Sequence, residues 1–346
     1  MVLVFYISGH GFGHASRAVE LIDALTARRP NLRVIVRTNA HPWPLERVRR
    51  PGIDVQPFET DTGVAQISSL TIDEMQTATR AADFYRTFED RVASEARYLK
   101  ECEARIVVAD IPPLAFAAAN AAGIPSVAVA NFTWDWIYAY YPEFESRAPG
   151  VISAISRAYH QGALALRLPI HGGFESMAVI EDIPLVARRS TRDPADTRRI
   201  LRIDSGALLV LASFGGFGLS IPDDRLSSSG LTVLAPPDRL PDGLKHEDIV
   251  AAADVVVSKP GYGIVSECAA HRTPLLYTSR GRFAEYDVMV TEMPKMVRCR
   301  YITQEDLVAG NWTESVTALL AQSDFPDNVR VDGAGVAAEK ILGLTD

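Results

Sequence analysis

The chain has 346 residues, which is too long for one ordinary hydrophobic core and suits two domains of about 100–200 residues each. Hydrophobic residues make up 47% and charged residues 23%, close to the averages of globular proteins, so the disordered, collagen-like and coiled-coil classes are excluded. The formal net charge of -8 argues against a nucleic-acid-binding protein, which needs a basic surface to neutralise phosphates.

The cysteines and the hydropathy of the chain bear on its compartment. Cys102, Cys268 and Cys299 are far apart and form no CxxC pair, so neither a disulfide framework nor a thiolate zinc site is indicated. No signal-peptide pattern follows Met1, and no run reaches the about 18 apolar residues of a membrane span. We therefore expect a cytoplasmic protein without a transmembrane segment.

In the first half of the chain, β-branched runs alternate with helical patterns, which is typical of βαβ units. Strands are predicted at residues 2–7, 32–36, 106–109 and 126–130, and helices at residues 18–25, 71–100 and 115–122. Asp110 and Asn131 each follow a predicted strand directly, and Gly123 is expected to end the third helix.

The second half repeats the alternation after an arginine- and aspartate-rich stretch at residues 188–202, which we interpret as a domain boundary that contains a helix. Strands are predicted at residues 207–212, 231–234, 254–258 and 275–277, and a last helix at about residues 335–342. The whole pattern predicts an α/β protein with two parallel sheets.

The loop Gly9-His-Gly-Phe-Gly-His14 joins the first strand to the first helix. Its glycines, which include Gly11 and Gly13, let the backbone approach a ligand, and the helix N-terminus attracts an anion. Their spacing is not the G-x-G-x-x-G of dinucleotide-binding folds, which argues against NAD. His14 is a candidate general base; His10 and His14 are alternatively a metal pair, and for His10 we favour a residue that only shapes the loop.

Asp110 is the candidate partner of His14, because the carboxyl ends of parallel strands lie at one edge of a sheet. A carboxylate that accepts one imidazole N–H fixes the tautomer and raises the basicity of the other nitrogen. The alternative is a helix N-cap, which aspartate favours and which Pro112 and Pro113 would follow.

A second glycine turn, Lys259-Pro-Gly-Tyr-Gly263, again lies between a strand and a helix. Gly261, Tyr262 and Gly263 open a helix whose N–H groups can hold a diphosphate, and Glu267 can accept from ribose hydroxyls. No P-loop pattern occurs, so nucleoside triphosphate hydrolysis is not expected. A weaker glycine turn with the same predicted role follows another strand and contains Ser213, Gly215 and Gly216.

An aromatic stretch follows the strand that ends at Asn131. Trp134 and Trp136 alternate there with polar residues such as Asp135, a composition that suits sugar recognition, in which rings stack on C–H surfaces. Aromatic clusters are also common in cores, so a structural role is the alternative.

These strings together are similar to the GT-B glycosyltransferases, and in particular to the glycosyltransferase-like N-terminal region of plant L-arabinokinases. The resemblance covers nearly the whole chain and is carried by the following strings: Gly9-His-Gly-Phe-Gly-His14, Asp61-Thr-Gly, Leu70-Thr-Ile-Asp73, Asn131-Phe-Thr-Trp-Asp-Trp-Ile-Tyr138, Ile183-Pro-Leu-Val186, Phe214-Gly-Gly216 and Gly261-Tyr-Gly263 to Glu267. It does not imply sugar phosphorylation, because the kinase portion of those plant proteins is not matched.

The resemblance implies two Rossmann-like domains that face each other across a cleft, with no metal and no cofactor. Residues 1–187 would bind the acceptor, residues 188–328 would bind the nucleotide sugar, and residues 329–346 would pack back toward the first domain. His14 and Asp110 match catalytic positions of the family, and Glu267 matches its ribose-binding acid. Arg17, Asn131, Trp134, Asp135 and Trp136 are then candidate contacts to the acceptor or sugar.

Two departures from the family pattern affect the donor site. The segment between Leu234 and Asp254 is short for the strand that helps to define the base pocket, and the usual Asp-Gln pair is replaced by residues 280–287. Glu285 and Asp287 are the candidate donor-sugar contacts in that stretch, with a solvated helix start as the alternative.

The sequence therefore predicts an inverting, metal-independent glycosyltransferase that uses a nucleoside-diphosphate sugar, with UDP favoured, and an unidentified hydroxyl acceptor. One alternative is a nucleotide-sugar hydrolase, because Gly13-His14-Ala15-Ser16-Arg17 resembles the loop of hydrolases with this fold. Another is a non-catalytic sugar-nucleotide-binding module. The arginines between positions 28 and 50 would allow peripheral contact with an anionic membrane or a phosphorylated acceptor, but a solvated surface is the explanation that we favour.

Overall fold

The computed structural model describes residues 1–68, 70–214, 230–235, 240–241, 243–323 and 326–345. The chain forms two compact units. Unit 1 comprises Met1–Ile67, Ile72–Val186 and Asp332–Asp346, and unit 2 comprises Ser68–Thr71 and Ala187–Val331.

Unit 1 is built on a sheet of seven strands, all paired in parallel. In chain order these are β1 (Val2–Ile7), β2 (Arg33–Thr38), β3 (Ile53–Pro57), β4 (Ala104–Asp110), β5 (Ser126–Phe132), β6 (Leu164–Gly172) and β7 (Ile180–Asp182). Their spatial order is β3-β2-β1-β4-β5-β6-β7. Strands β2 and β3 follow β1 on one side of the sheet, and β4 to β7 follow on its other side. The strand order therefore reverses between β1 and β4, and open α/β sheets bind ligands at such a point.

The helices of unit 1 before the crossover to unit 2 cover this sheet. They are α1 (Gly13–Arg28), α2 (Pro42–Leu45), α3 (Glu74–Arg86), α4 (Phe88–Glu101), α5 (Pro113–Ala122), α6 (Trp134–Ala139), α7 (Glu143–Arg147) and α8 (Val151–Tyr159), with a 3-10 helix at Glu46–Val48 after α2. The predicted helix at 71–100 is in fact two helices, because Thr87 leaves the helical conformation and lies between α3 and α4. Phe84 near the end of α3 and Phe88 at the start of α4 both pack into one buried cluster with Leu114 of α5.

Unit 2 contains a second parallel sheet, with five strands in the order β12-β11-β10-β8-β9. The strands are β8 (Leu208–Ala212), β9 (Leu231–Leu234), β10 (Val255–Ser258), β11 (Leu275–Tyr277) and β12 (Cys299–Tyr301). The described helices are α9 (Pro194–Ile200), α10 (His246–Ala252), α11 (Tyr262–His271), α12 (Tyr286–Glu292), α13 (Gln304–Ala309) and α14 (Thr313–Leu320), with a 3-10 helix at Met293–Lys295. Here the strand order reverses between β8 and β10, which makes their carboxyl ends the ligand-binding edge.

The prediction of an α/β fold with two parallel sheets is confirmed. Four strands, β3, β6, β7 and β12, were not predicted. The strand β6 contains Pro169, which removes a backbone donor and argues against a strand in the sequence. The strands β7 and β12 have only three residues each, too few for a period-2 pattern to be recognised.

The last helix, α15 (Gly333–Gly343), belongs to unit 1 and packs on α1. Its start is fixed by close contact with the backbone of residues 184–186. The backbone N–H of Gly333 donates to the carbonyl oxygen of Leu185 over 3.0 Å. A Cβ atom on Gly333 would lie 2.1 Å from the carbonyl oxygen of Pro184, whereas a Cβ on Gly343 would meet nothing within 4 Å.

We therefore predict that Gly333→Ala lowers the free energy of unfolding of unit 1 by about 1–3 kcal/mol, because the added methyl group overlaps a backbone atom that cannot rotate away. Gly343→Ala in the same helix is the matched control, and it should leave stability unchanged or slightly higher, since alanine favours a helix over glycine. Thermal unfolding followed by circular dichroism measures both variants, and equal melting temperatures would contradict this packing at Gly333.

Candidate functional site

The loop after β1 places two functional side chains on one face of α1. Gly11 has a φ of +68°, a left-handed conformation that glycine adopts without strain. The helix begins at Gly13, so His14 lies in its first turn and Arg17 one turn later, and residues three apart share a helix face. Both side chains are buried, each with 5% of its surface exposed.

That face meets Asp110 at the end of β4. The parallel register pairs Ile7 with Asp110, which brings the carboxylate beside the loop. His14 Nδ1 lies 2.8 Å from Asp110 Oδ1. Arg17 donates from Nε to Asp110 Oδ2 and from Nη2 to Oδ1, each over 2.7 Å. The predicted N-cap role of Asp110 is excluded, because Pro112 occupies the N-cap of α5.

Arg17 also connects this pair to the next strand of the sheet. Its Nη1 donates to Asn131 Oδ1 over 2.9 Å, and Asn131 Nδ2 donates to the carbonyl oxygen of Ile170 over 3.3 Å. The predicted residues His14, Arg17, Asp110 and Asn131 therefore form one buried cluster at the carboxyl ends of neighbouring strands.

Asp110 is ionised in this cluster although it is only 1% exposed. Burial acts to raise its pKa, but the charges of Arg17 and His14 and their hydrogen bonds outweigh burial and hold the pKa below its ordinary value. A carboxylate only accepts hydrogen bonds, so His14 Nδ1 carries the hydrogen and Nε2 is the ring nitrogen with the available lone pair. In this arrangement, His14 Nε2 can accept a proton.

A second carboxylate, Asp61, was not predicted as a site residue. It accepts from Ser8 Oγ over 3.0 Å and from Trp134 Nε1 over 2.9 Å. Burial raises its pKa to about 6, against the opposing effects of these hydrogen bonds and of the charge on His14. The signal in the sequence was the string Asp61-Thr-Gly, which we used only for the resemblance.

The aromatic stretch after β5 supports this site from inside unit 1. The Trp134 ring lies 6.3 Å from the His14 ring between centroids, and it is 1% exposed. Both oxygens of Asp135 accept hydrogen bonds, from Ser156, Ser176 and the backbone of Trp136. Trp136 is half-buried. The acceptor-contact role of Trp134, Asp135 and Trp136 stays a prediction.

An open polar cavity of about 360 Å³ lies beside Asp61. Its lining residues, which follow β2 and β3 or belong to α3 and α4 and their surroundings, are the following: Asn39, Glu59, Asp61, Thr62, Arg80, Asp83, Phe84 and Arg91. Apart from Phe84, these side chains are polar or charged, so the cavity suits a ligand rich in hydroxyl groups.

In unit 2, the predicted donor residues lie at the carboxyl ends of β8 and β10. Ser213 follows β8, and Lys259 follows β10 and leads into α11, whose N-cap is Gly261. Cβ atoms added to Gly261 or Gly263 would meet nothing within 4 Å, so there is space in front of the helix N-terminus. Tyr262 is buried in the first turn. Gly215 and Gly216 lie outside the described residues.

Two cations lie close together at this edge. Burial, with a smaller contribution from the charge of Arg280, lowers the pKa of Lys259 to about 8. Arg280 Nη1 lies 3.9 Å from Glu285 Oε2, and its guanidinium covers the Phe283 ring. Glu285 is the N-cap residue of α12 and Asp287 lies in its first turn, and the donor-sugar contact of either residue stays a prediction.

Glu267, which we also predicted as a site residue, is a buried carboxylate with partners at both of its oxygens. Arg188 Nε donates to Glu267 Oε1 over 2.6 Å, and Arg188 Nη2 contacts the same oxygen. His246 Nδ1 lies 2.8 Å from Oε2, and His246 Nε2 lies 2.9 Å from Ser213 Oγ. Burial acts to raise the pKa of Glu267, but Arg188 and His246 outweigh it and lower the pKa to about 2.

Sequence reasoning missed both Arg188 and His246. Arg188 stands in the stretch that we interpreted as a boundary, and His246 stands at the start of α10 in no recognised motif. Nothing in their local pattern points to Glu267, which is 79 and 21 residues away, respectively.

Comparisons with known proteins agree with this architecture. The chain is 29% identical over 330 residues to L-arabinokinase of Arabidopsis thaliana, which is 90% of this chain and 31% of that protein. The chain thus spans about a third of the length of this curated relative. No protein-family model matches the chain.

Among solved structures, the glycotransferase of kitacinnamycin superposes with a TM-score of 0.63 at 17% identity, over 100% of this chain and 99% of that one. Medicago truncatula UGT71G1 complexed with UDP-glucose superposes with a TM-score of 0.61 at 13% identity, over 100% and 98%. The fold is therefore that of the GT-B glycosyltransferases, and the resemblance inferred from the motifs is confirmed.

Neither a membrane-spanning helix nor a metal-binding group occurs in the described residues. No helix in that part of the chain is long and apolar enough to cross a membrane. Within the same residues, no three His, Cys, Asp or Glu side chains are grouped to hold a metal ion, including around His10 and His14.

The raised pKa of Asp61 predicts a pH dependence of stability. Its pKa is about 6 in the folded chain against 3.8 for the ordinary group, so the folded state binds the proton more tightly. The stability that this provides is fully present below about pH 4 and is lost as the pH rises through about 6. Relative to Asp61→Asn, the wild type should lose about 2 kcal/mol of unfolding free energy between pH 4 and pH 7.

Denaturant unfolding at a series of pH values measures this difference. Asp90→Asn, which changes an exposed carboxyl group on α4, is the matched control and should follow the wild-type pH profile. Parallel profiles for the wild type and Asp61→Asn would contradict a raised pKa at Asp61.

Proposed function

We propose that this protein is an inverting glycosyltransferase that transfers a sugar from a nucleoside-diphosphate sugar to a hydroxyl acceptor. The observation that carries the proposal is the buried cluster of His14, Asp110 and Arg17 at the strand-order reversal of unit 1, on a chain with the GT-B fold. This is where the fold class binds ligands, and the cluster presents a basic ring nitrogen there.

In the proposed reaction, His14 is the general base. An acceptor hydroxyl gives its proton to His14 Nε2 as its oxygen bonds to the anomeric carbon, and the bond from that carbon to the diphosphate breaks. Asp110 holds the Nδ1–H tautomer and stabilises the imidazolium that forms. Arg17 fixes the carboxylate through two hydrogen bonds, so the base is oriented before the substrate arrives.

Unit 2 supplies the proposed donor site. The departing diphosphate is an anion, and the N-terminus of α11, with open space at Gly261 and Gly263, offers N–H groups to it. Lys259 adds a cationic group at the same edge. UDP is the favoured nucleotide, and the solved complex of UGT71G1 with UDP-glucose supports the choice of a uridine donor for first tests. The local cations take the place of a bridging metal ion, so we propose that the reaction is metal-independent.

The acceptor is proposed to be a polar, hydroxyl-rich molecule rather than a flat apolar one. The support is the cavity beside Asp61, whose lining includes Asn39, Thr62, Arg80 and Arg91. The name of the Arabidopsis relative, L-arabinokinase, also associates a matching segment with sugar metabolism, but a kinase activity is not proposed for this chain.

The first prediction of this proposal concerns His14. His14→Gln should lower the rate of nucleoside-diphosphate release about 10²–10⁴-fold, the usual contribution of a general base, while leaving donor affinity unchanged. Release of nucleotide from UDP-, GDP-, dTDP- and ADP-sugars, with a panel of sugar acceptors, is the measurement. His160→Gln, at an exposed histidine of unit 1, is the control and should keep full activity.

Three results separate the alternatives. Full activity of His14→Gln would overturn the assigned base. Release that does not depend on any acceptor would instead favour a nucleotide-sugar hydrolase, in which water replaces the acceptor. Binding without turnover by the wild type would favour the non-catalytic module.

The second prediction concerns the donor. A nucleotide sugar at about 100 times its Kd should add about 2.7 kcal/mol to the stability of unit 2, and EDTA should not remove this effect. Melting temperatures with and without EDTA measure it. A shift that requires Mg²⁺ would contradict metal independence.

A further inference from the structure

Ser213, His246 and Glu267 form a continuous hydrogen-bonded chain in unit 2. His246 Nδ1 lies 2.8 Å from Glu267 Oε2, and His246 Nε2 lies 2.9 Å from Ser213 Oγ. The three residues come from different elements, namely α11, the start of α10 and the end of β8, so only the fold brings them together.

The direction of the hydrogen bonds follows from the ionisation of Glu267. Its pKa is lowered to about 2, so both oxygens only accept near neutral pH. Arg188 occupies Oε1, and Oε2 therefore accepts from Nδ1–H of His246. A neutral His246 then has its lone pair on Nε2, and the Ser213 hydroxyl must donate its single hydrogen to that nitrogen.

A protonated His246 reverses the second hydrogen bond. Nε2–H then donates to Ser213 Oγ, and the hydroxyl hydrogen of Ser213 becomes available to another acceptor. The side chain of Ser213 thus presents only lone pairs in one state and a donor in the other. An anionic phosphate oxygen accepts hydrogen bonds, so it favours the second state.

Ser213 is also held at the diphosphate edge of unit 2. Its backbone N–H donates to the carbonyl oxygen of Val257 over 2.9 Å, and Ser258 Oγ donates to the Ser213 carbonyl oxygen. Val257 and Ser258 end β10, which leads directly into Lys259 and the N-terminus of α11. Ser213 is half-buried, so its hydroxyl can reach a ligand at this edge.

We propose that His246 and Ser213 form a proton-linked contact to the diphosphate of the donor, so that binding of a nucleoside-diphosphate sugar takes up one proton at His246. This inference rests on the proposed function only in placing a nucleotide sugar at this edge. It also gives Glu267 a different role from the ribose contact that the resemblance implied, because its carboxylate holds Arg188 and His246.

The charges that face His246 favour this assignment. Arg188 Nη2 lies 3.4 Å from His246 Nδ1, but its charge is matched by Glu267 on α11. On α10 itself, the buried Glu247 lies 3.9 Å from Arg188 and adds a second negative charge, whereas Asp248 turns to Ser190 and Arg192.

Isothermal titration calorimetry tests the proposal. The probe is UDP-glucose, or the GDP, dTDP or ADP conjugate if that gives the larger melting shift. Each phosphate of such a conjugate has one ester bond and shares the anhydride bond, so the ligand lacks the pKa near 6 of a phosphate monoester. Titrations at pH 6.5, 7.25 and 8 in buffers of different ionisation enthalpy report the protons taken up per ligand bound.

For the wild type we expect up to one proton taken up, and a Kd that rises by as much as about tenfold per pH unit, the limit for one linked proton. His246→Gln should bind with no proton uptake and with a flat pH profile. His160→Gln is the matched control and should keep the wild-type linkage. Because the buffer dependence of the wild type is itself decisive, the test holds even if a variant folds poorly.

The outcomes separate this inference from the proposed function. Binding with no buffer dependence in the wild type would overturn the proton linkage and leave the donor site standing. Persistent proton uptake in His246→Gln would assign the proton to another group and overturn the role of His246. Absence of binding by every conjugate at every pH would contradict the donor site itself, and the linkage with it.

Discussion

Each unit of this protein contains a buried carboxylate that remains ionised because an arginine and a histidine share it. In unit 1 the carboxylate is Asp110, with Arg17 and His14. In unit 2 it is Glu267, with Arg188 and His246. Without a partner, a carboxylate at such depth would be neutral. Because each histidine is oriented by a hydrogen bond to the ionised carboxylate, its orientation depends on the arginine that keeps the carboxylate charged.

In both groups the histidine Nδ1 contacts the carboxylate, but the surroundings of the other ring nitrogen differ. The histidine ring nitrogen that does not face the carboxylate is Nε2 in both groups. In unit 1 that nitrogen can receive a proton directly, which suits a base. In unit 2 Nε2 contacts Ser213 Oγ, so the protonation state of His246 determines whether the Ser213 hydroxyl donates or accepts in that hydrogen bond. The guanidinium in each case fixes the carboxylate, and through it the imidazole tautomer.

Both groups lie where the order of parallel strands reverses, between β1 and β4 and between β8 and β10. At such points the loops that follow two adjacent strands diverge to opposite faces and leave a space above the sheet. The strand register then decides which side chains meet there. Pairing of Ile7 with Asp110 is what brings the carboxylate to a histidine 96 residues earlier in the chain.

The sequence by itself determined much of this description. Alternating strand and helix patterns predicted two parallel sheets, and the residues after the strands predicted His14, Asp110, Lys259 and Glu267 as the functional positions. The prediction of two parallel sheets is confirmed, because it depends on local periodicity, whereas the roles of these four residues stay predictions. The GT-B resemblance rested on strings that are likewise local.

Tertiary structure alone decided which partners the buried charges take. Arg188 and His246 have no local pattern that marks them, and their shared partner Glu267 is distant in sequence, 79 residues from Arg188. Long-range contacts fix protonation states because desolvation and neighbouring charges depend on the folded environment, which a linear sequence does not contain.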